Sequence, residues 1–476
     1  MKNNSETRLL LENIIETWRL EARQETENLF YYIDEINQLK DGSKCYVIGR
    51  KGMGKTAISE YFNNLSDPLK FSERLSFKNF PFNYLYSLNN DDYTPPNQYI
   101  TIWKYLIYNT VCKLMSQNTQ IDNRVSSVLR KIYPQDSIKA LNKLVPKWTA
   151  TGFGAEILGC GGSIEGGKNT DNLSWIEKAD ILEDVIEQYG AGDAYYYVLI
   201  DELDEDYRDF EDAGQRKAYL NLITSLFKAV QDVRSYFKKT QINIRPVVFL
   251  RSDIYAFIKD SDKNKWREFV VDLAWKPDGL YKMLCYRMYI SSGEKIPEET
   301  VWKKVVPQPY VFMGNQGHKK MQSFKYITRS TQWRPRDYIH YITECAKQAI
   351  QNGKDVILSE TIKEVDKEFS EYLKGEITDE IFAVLPEIDT IFSVFSQVRK
   401  QTVAPKEFLD AYVNLTGNSQ DDGKVVLRQL FEHGVIGNQP SMKDEQIFKY
   451  QYPQALFNFN ENMVIHRGLY KALQIF

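Results

Sequence analysis

The chain has few of the groups that build metal centres and none of the runs that cross membranes. Only four histidines and five cysteines occur among its 476 residues. Cys45, Cys112, Cys160, Cys285 and Cys345 stand apart, with no zinc or redox spacing, and most have apolar neighbours. They read as buried thiols in a reducing compartment, so a cytoplasmic protein is expected. Residues 1–8 are polar, and no apolar run approaches the roughly 18 residues that a membrane span needs. No membrane partner is expected. An excess of one charge is missing too. With 61 Lys and Arg against 64 Asp and Glu, the net charge is −3. No global field then draws the chain to nucleic acid, although a local basic face is allowed.

What is present is length, aromatics and one glycine-rich turn. A chain of 476 residues, with 31 Tyr and 25 Phe, is too long for a single core and implies two or three domains. The turn lies in Tyr46-Val47-Ile48-Gly49-Arg50-Lys51-Gly52-Met53-Gly54-Lys55-Thr56-Ala57-Ile58. A short apolar strand leads in, and helix formers follow. The pattern G-x-x-x-x-G-K-[ST] is that of a phosphate-binding loop. Gly49, Gly52 and Gly54 let backbone N–H groups converge on an anion, and the helix N-terminus adds partial positive charge. Arg50, Lys51, Met53 and Ala57 complete the expected cradle. Lys55 would reach the β- and γ-phosphates, and the Thr56 hydroxyl would ligate magnesium. The expected ligands are therefore ATP with Mg2+, and ADP.

Upstream, apolar residues at spacings of three and four predict helix over 6–40. Downstream, helix is predicted to about residue 63 and a second strand over 80–86, ending in the loop 89–96. An insertion at about 97–190 carries helices over 99–115, 125–132 and 175–189. Its stretch Thr151-Gly152-Phe153-Gly154, running on through Gly159-Cys160-Gly161-Gly162, reads as a flexible hairpin. It has no helix pattern after it and no lysine where the first loop has Lys55.

Tyr195-Tyr196-Tyr197-Val198-Leu199-Ile200 is an apolar strand ending in Asp201 and Glu202, the pattern of a buried parallel strand whose C-terminal end faces ligand. Asp201 would hold magnesium through water and Glu202 would polarise the attacking water. The bland alternative is an acidic turn, since Asp204, Glu205 and Asp206 follow. A helix over 218–237, a strand over 246–250 ending in Arg251, and a fifth strand over 269–273 complete the core. No Asn-Lys-x-Asp guanine-reading motif occurs, which favours ATP over GTP.

Past residue 276 the pattern is helical: 279–290, 298–305 and 336–351. Arg334-Pro335-Arg336 opens the last of these, where a lid would present a cation to the γ-phosphate. From 376 onward three helices are predicted (381–398, 405–413, 423–434). Two β-like segments, 446–452 and 456–460, then precede Ile465-His466-Arg467. Three helices plus a β-ribbon suggest a winged helix, whose recognition helix would carry Lys424, Arg428, Glu432 and His433, a mixed set and no clear basic face.

The combination of Gly49–Thr56, Val198-Leu199-Ile200-Asp201-Glu202-Leu203-Asp204, Val248-Phe249-Leu250-Arg251-Ser252-Asp253-Ile254 and Trp333-Arg334-Pro335-Arg336-Asp337-Tyr338-Ile339 resembles bacterial STAND-like P-loop ATPases, relatives of the Orc/Cdc6 and KAP clades of AAA-type ATPases. The resemblance implies an α/β fold with an AAA/STAND-type parallel sheet and flanking helices. Its expected domains are an N-terminal helical segment (1–40), a P-loop core (41–275), a helical lid (276–375) and a C-terminal winged-helix domain (376–476). It implies catalytic roles for Lys55, Glu202, Arg251, Arg334 and Arg336. It also implies a contact from His466 to the ADP β-phosphate, although Arg467 stands where that family usually has aspartate.

Members often act in phage defence as ATP-dependent sensors or as regulators of a separate effector. The expected function is thus a slow ATPase switch working as a homo-oligomer or with an effector protein. The alternatives are a DNA-engaging ATPase of the origin-recognition or loader kind, and a scaffold that binds nucleotide without turnover.

Overall fold

Tyr46-Val47-Ile48-Gly49 is apolar on every side because it is an interior strand. The computed structural model describes residues 2–78, 82–87, 93–95, 97–133, 174–206, 213–314, 318–440 and 445–475. The glycine-rich stretch 151–162, Cys160 and most of the loop 89–96 lie outside the described residues.

Contacts divide the chain into two compact units. The sheet unit is Tyr32–Arg50 with Lys55–Leu273, and the helical unit is Met1–Tyr31, Lys51–Gly54 and Ala274–Phe476.

The sheet unit holds five parallel strands in the order β2-β3-β4-β1-β5. They are β1 (Tyr46–Gly49), β2 (Lys70–Ser76), β3 (Tyr195–Asp201), β4 (Asn243–Arg251) and β5 (Val270–Asp272). β1 is buried throughout and β3 nearly so, as parallel strands covered on both faces must be. The helix Ile100–Met115 is buried all round, which is why its sequence is apolar without a polar stripe. Trp175–Tyr189 begins with a capping box, Ser174 and Glu177 each serving the other's backbone.

The second strand is a correction. It runs over Lys70–Ser76, whereas Phe82–Tyr86 is a short helix. All but one of its residues are only partly buried, so the sequence KFSERLS lacks the apolar signal that marks its neighbours.

In the helical unit the N-terminal helix ends at Thr17, and single helical turns replace the predicted continuation until Glu35–Lys40. Trp18 turns away to donate to Ser291 Oγ at 2.9 Å, with the Arg287 guanidinium stacked on its ring. Lys2–Thr17, Pro277–Ser291 and Pro335–Gln351 share one apolar core with the three C-terminal helices, through Leu10, Leu284, Tyr338, Phe395 and Leu430. The unit also carries an antiparallel hairpin, β6 (Tyr310–Met313) with β7 (Lys319–Gln322).

At the C-terminal end, helices Ile388–Val398, Pro405–Thr416 and Gln420–Glu432 accompany a three-stranded antiparallel sheet in the order β8-β10-β9. Its strands are β8 (Thr402–Val403), β9 (Ile436–Gln439) and β10 (Asn462–Ile465). The predicted β-segments at 446–452 and 456–460 are not its strands. Ile447 makes one isolated bridge to Asn438, and the chain then turns, with Tyr452 N–H donating to Phe448 O. The pairing goes instead to Met463-Val464-Ile465, whose side chains are buried.

Candidate functional site

Gly49 ends β1, and across the parallel ladder it pairs with Arg251, the last residue of β4. Ser76, the last residue of β2, pairs in the same way with Asp201, the last of β3. Four strands therefore deliver Gly49, Ser76, Asp201 and Arg251 to the carboxyl edge of the sheet, where open α/β sheets place ligands.

The turn after β1 needs glycine at two places. Gly52 and Gly54 have φ of +80° and +100°, the left-handed region that side chains rarely enter. The helix Lys55–Asn63 follows at once, with Thr56 and Ala57 in its first turn. Lys55 Nζ donates to Gly49 O (2.9 Å) and Arg50 O (3.0 Å), so its ammonium lies against the start of the loop. Burial lowers the Lys55 pKa; Asp204 opposes this, while Arg251 adds to it. Lys55 thus sits inside a cluster of mixed charge.

Asp201 is buried, and burial first, then the adjacent Glu202 charge, pushes its carboxyl up to about 6. Its Oδ1 accepts from the Glu202 N–H at 2.9 Å, while among the described residues the buried Oδ2 has no hydrogen-bond partner. A buried carboxylate oxygen without a partner, with the Thr56 hydroxyl at the loop, is a donor set that suits a hard divalent cation completing its shell with water and phosphate. Among the described residues, no group of three or more His, Cys, Asp or Glu is arranged to hold a metal unaided. The residues therefore fit magnesium held jointly with a nucleotide.

Glu202 stands at φ +61°, a left-handed conformation for a residue with a side chain. Ser76 Oγ donates to Glu202 Oε2. Sequence reasoning missed Ser76 because it placed the second strand elsewhere. Arg251 is clamped by Asp253, Nε to Oδ1 at 3.1 Å and Nη2 to Oδ2 at 2.7 Å, with Asp204 Oδ2 3.7 Å from Nη1. Bidentate pairing of this kind fixes the plane of the guanidinium.

Within the helical unit, Lys51–Gly54 meet the start of the Pro335–Gln351 helix. Arg336 N–H faces Gly52 O at 3.4 Å, and a Cβ built on Gly52 would lie 3.3 Å from Arg336 Cβ and 3.5 Å from Arg334 Cδ. Met53 O accepts from Trp275 Nε1 at 3.0 Å. Lys51 Nζ is 3.5 Å from Glu376 and 3.6 Å from Asp379.

Arg334 is fully buried, paired with Asp337 (3.1 Å) and Glu380 (3.0 Å), and its Nη2 has no partner among the described residues. Burial opposes its charge, yet Asp337 and Glu380 together hold its pKa above the ordinary arginine value. Arg336 is half-buried and pairs with Glu376 and Glu21, each at 3.3 Å. Neither Glu376 nor Glu380 carries a sequence signal for this role, being some forty residues from its arginine.

His466 is buried in the same unit. Gly468 N–H donates to its Nδ1 (3.1 Å), which places the ring proton on Nε2, facing Thr331 O (3.2 Å) and Tyr450 Oη (3.1 Å). Both nitrogens are committed to protein groups, as a packed histidine's would be. The structure thus gathers Gly49, Lys55, Thr56, Asp201, Glu202 and Arg251 in one unit, and Lys51–Gly54 with Arg334 and Arg336 in the other.

The strand order, the turn after β1 and its helix define a P-loop α/β fold, carried together with a C-terminal helical domain. The family described as the FunZ-associated C-terminal helical domain matches residues 278–378. No curated protein matches the chain. Among solved structures, the Cdc6p of Pyrobaculum aerophilum is 12% identical over 92% of this chain and 91% of that one, with a TM-score of 0.33. The ORC2 protein of Aeropyrum pernix is 10% identical over 91% and 87%, with a TM-score of 0.41. The Walker-type ATPase PABY2304 of Pyrococcus abyssi is 12% identical over 94% and 96%, with a TM-score of 0.40. At these identities and scores, none of them bears on the chemistry of the site.

Proposed function

We propose that this protein is an ATP-binding and hydrolysing switch of the AAA/STAND type, slow in turnover and regulatory in use. The observation that carries the reading is Asp201 at the carboxyl edge of the sheet, whose buried Oδ2 has no partner among the described residues while Lys55 lies within the same charge cluster. Thr56 and Asp201 would hold a magnesium ion, which would neutralise phosphate charge. Lys55 and the N–H groups of the turn bind and orient the phosphates. Glu202, held by Ser76, orients and polarises a water. Arg251, Arg334 and Arg336 are the candidates for sensing the γ-phosphate, and His466 for sensing the β-phosphate of ADP.

The three C-terminal helices with the sheet β8-β10-β9 read as a winged helix. Its use on duplex DNA is the weaker reading. In the Gln420–Glu432 helix, Lys424 is paired with Asp421 at 2.8 Å and Arg428 lies over the Phe459 ring, and with Asp421, Asp422 and Glu432 on the same helix it carries no clear basic face. A protein contact suits it better, a second copy or a separate effector. The motif resemblance extends the proposal to a sensor or regulator in phage defence. Calorimetric titration of ATP and ADP, with and without magnesium, tests the core of it. Failure of either nucleotide to bind would overturn the reading.

A further inference from the structure

The helical unit holds a cavity of about 1120 Å3 between the Pro277–Ser291 and Ser323–Thr328 helices and the last thirty residues. Small-ligand pockets usually span roughly 300–1,000 Å3, so this one admits a ligand larger than a single sugar or amino acid. No residue of the phosphate loop lines it.

Its charge is one-sided. Among the described residues, Lys325, Arg329, Arg467 and Lys471 line it, against the single carboxylate Asp278. Ordinary structural arginines are neutralised by carboxylates, and these are not fully so. The Arg329 guanidinium lies 3.9 Å from the centre of the Tyr326 ring and donates to Met313 Sδ at 3.0 Å, while its Nε has no partner among the described residues. Among the described residues no carboxylate forms an ion pair with it. Arg467 is 3.6 Å from Asp366 Oδ2, but that carboxylate already accepts from Tyr326 (2.6 Å) and Tyr341 (2.8 Å). Lys325 and Lys471 are exposed, and neither forms an ion pair among the described residues.

The walls add flat rings. Trp333 takes φ +57°, a strained conformation for a bulky side chain and one that recurs at ligand clamps. It meets Tyr450 edge-on, ring centres 5.7 Å apart. Rings beside incompletely neutralised guanidinium groups match a ligand that is both multiply anionic and aromatic. A sulfated or carboxylated aliphatic molecule would use the cations and leave the rings idle.

We propose that this cavity is a second ligand site, taking a nucleotide-class molecule with two or more phosphates, its base against Trp333 and Tyr450 and its phosphates on Arg329, Arg467, Lys325 and Lys471. The site does not rest on the reading of the phosphate loop. A free oligonucleotide and the end of a single strand share this chemistry.

The test uses the full chain carrying Lys55→Ala, in EDTA, so that the loop is disabled. Two probes are titrated, 5′-phosphorylated diadenylate and a ten-residue oligothymidylate. Diadenylate should bind this variant as tightly as wild type. Arg467→Gln should weaken it about tenfold, and the exposed pair Lys325→Gln/Lys471→Gln, which cannot disturb the core, by roughly threefold. If only oligothymidylate binds, with the same sensitivity to these variants, the site is supported and the source is a strand. No binding of either probe up to about 1 mM would overturn the proposal. So would affinity indifferent to Lys325→Gln/Lys471→Gln, or binding that Lys55→Ala abolishes.

Discussion

Gly49 and Arg251 face each other across the β1–β4 ladder, one opening the glycine turn and the other ending the neighbouring strand. The pairing register therefore fixes where a guanidinium stands relative to the end of β1. Asp253 then holds its plane by two hydrogen bonds. Since Lys55 donates to the carbonyl of the same Gly49, one backbone position joins two cations of the candidate site.

Lys55→Ala should abolish ATP and ADP binding and leave the fold intact. Among the described residues the ammonium bonds only Gly49 O and Arg50 O, and its removal relieves a buried charge. Calorimetry should show no heat of nucleotide binding while thermal unfolding stays within a degree or two of wild type. Unchanged ATP affinity would sink the assignment of the loop.

Much of this arrangement is legible in the sequence. The first, third and fourth strands are apolar runs because both faces of the sheet are covered, and the helices 175–189 and 298–305 are found at their predicted bounds. What is not legible depends on partners distant in sequence. β2 lies at the sheet edge with little apolar content, and Ser76 was lost with it. The strand β10 is only four residues long, and more than twenty residues separate it from its partner β9. The ion pairs that hold Arg334 and Arg336 come from a helix some forty residues on, which no local pattern encodes.

Glu202→Gln should keep nucleotide binding and lose turnover. The amide has the same shape and can still accept from Ser76, so the left-handed backbone at Glu202 is undisturbed. It cannot polarise water as a carboxylate does. A phosphate-release assay reads the loss; turnover equal to wild type would move the role to Asp204 or Glu205.

Asp201→Asn should stabilise the apo protein at neutral pH and weaken the magnesium dependence of ATP binding. Burial raises the Asp201 pKa from 3.8 to about 6, so the folded state prefers the protonated form. This group's contribution is fully present below pH 3.8 and is lost as pH rises through 6. At 1.36 kcal/mol per pKa unit the penalty above pH 6 is roughly 3 kcal/mol, to order of magnitude. Unfolding midpoints measured from pH 4 to 8 should fall for wild type and stay flatter for the variant. Parallel curves would show that Asp201 does not carry the effect.

Arg334 and Arg336 should behave differently although two residues apart. Arg334→Ala strands Asp337 and Glu380, both buried, and breaking such a pair costs about 3–5 kcal/mol. Arg336→Ala loses only half-buried pairs to Glu376 and Glu21, worth roughly 1 kcal/mol or less. Arg336→Ala is thus the variant that can isolate γ-phosphate sensing, lowering turnover more than ADP affinity. Denaturant unfolding separates the two. Equal stability of both variants would contradict the burial argument.

His466→Ala pits packing against switching. Its ring bridges Thr331 O, Tyr450 Oη and Gly468 N–H and is buried. Truncation should therefore cost about 2 kcal/mol or more through lost hydrogen bonds and an unfilled space. His466→Gln can keep one of these bonds and should recover part of the loss. If His466 also closes on the β-phosphate of ADP, both variants should weaken ADP relative to ATP and raise basal turnover. The Gln variant should do so even where its stability is close to wild type. Equal ADP affinity in wild type and the Gln variant would leave the histidine a purely structural bridge between β10 and the segment that leads into Arg334.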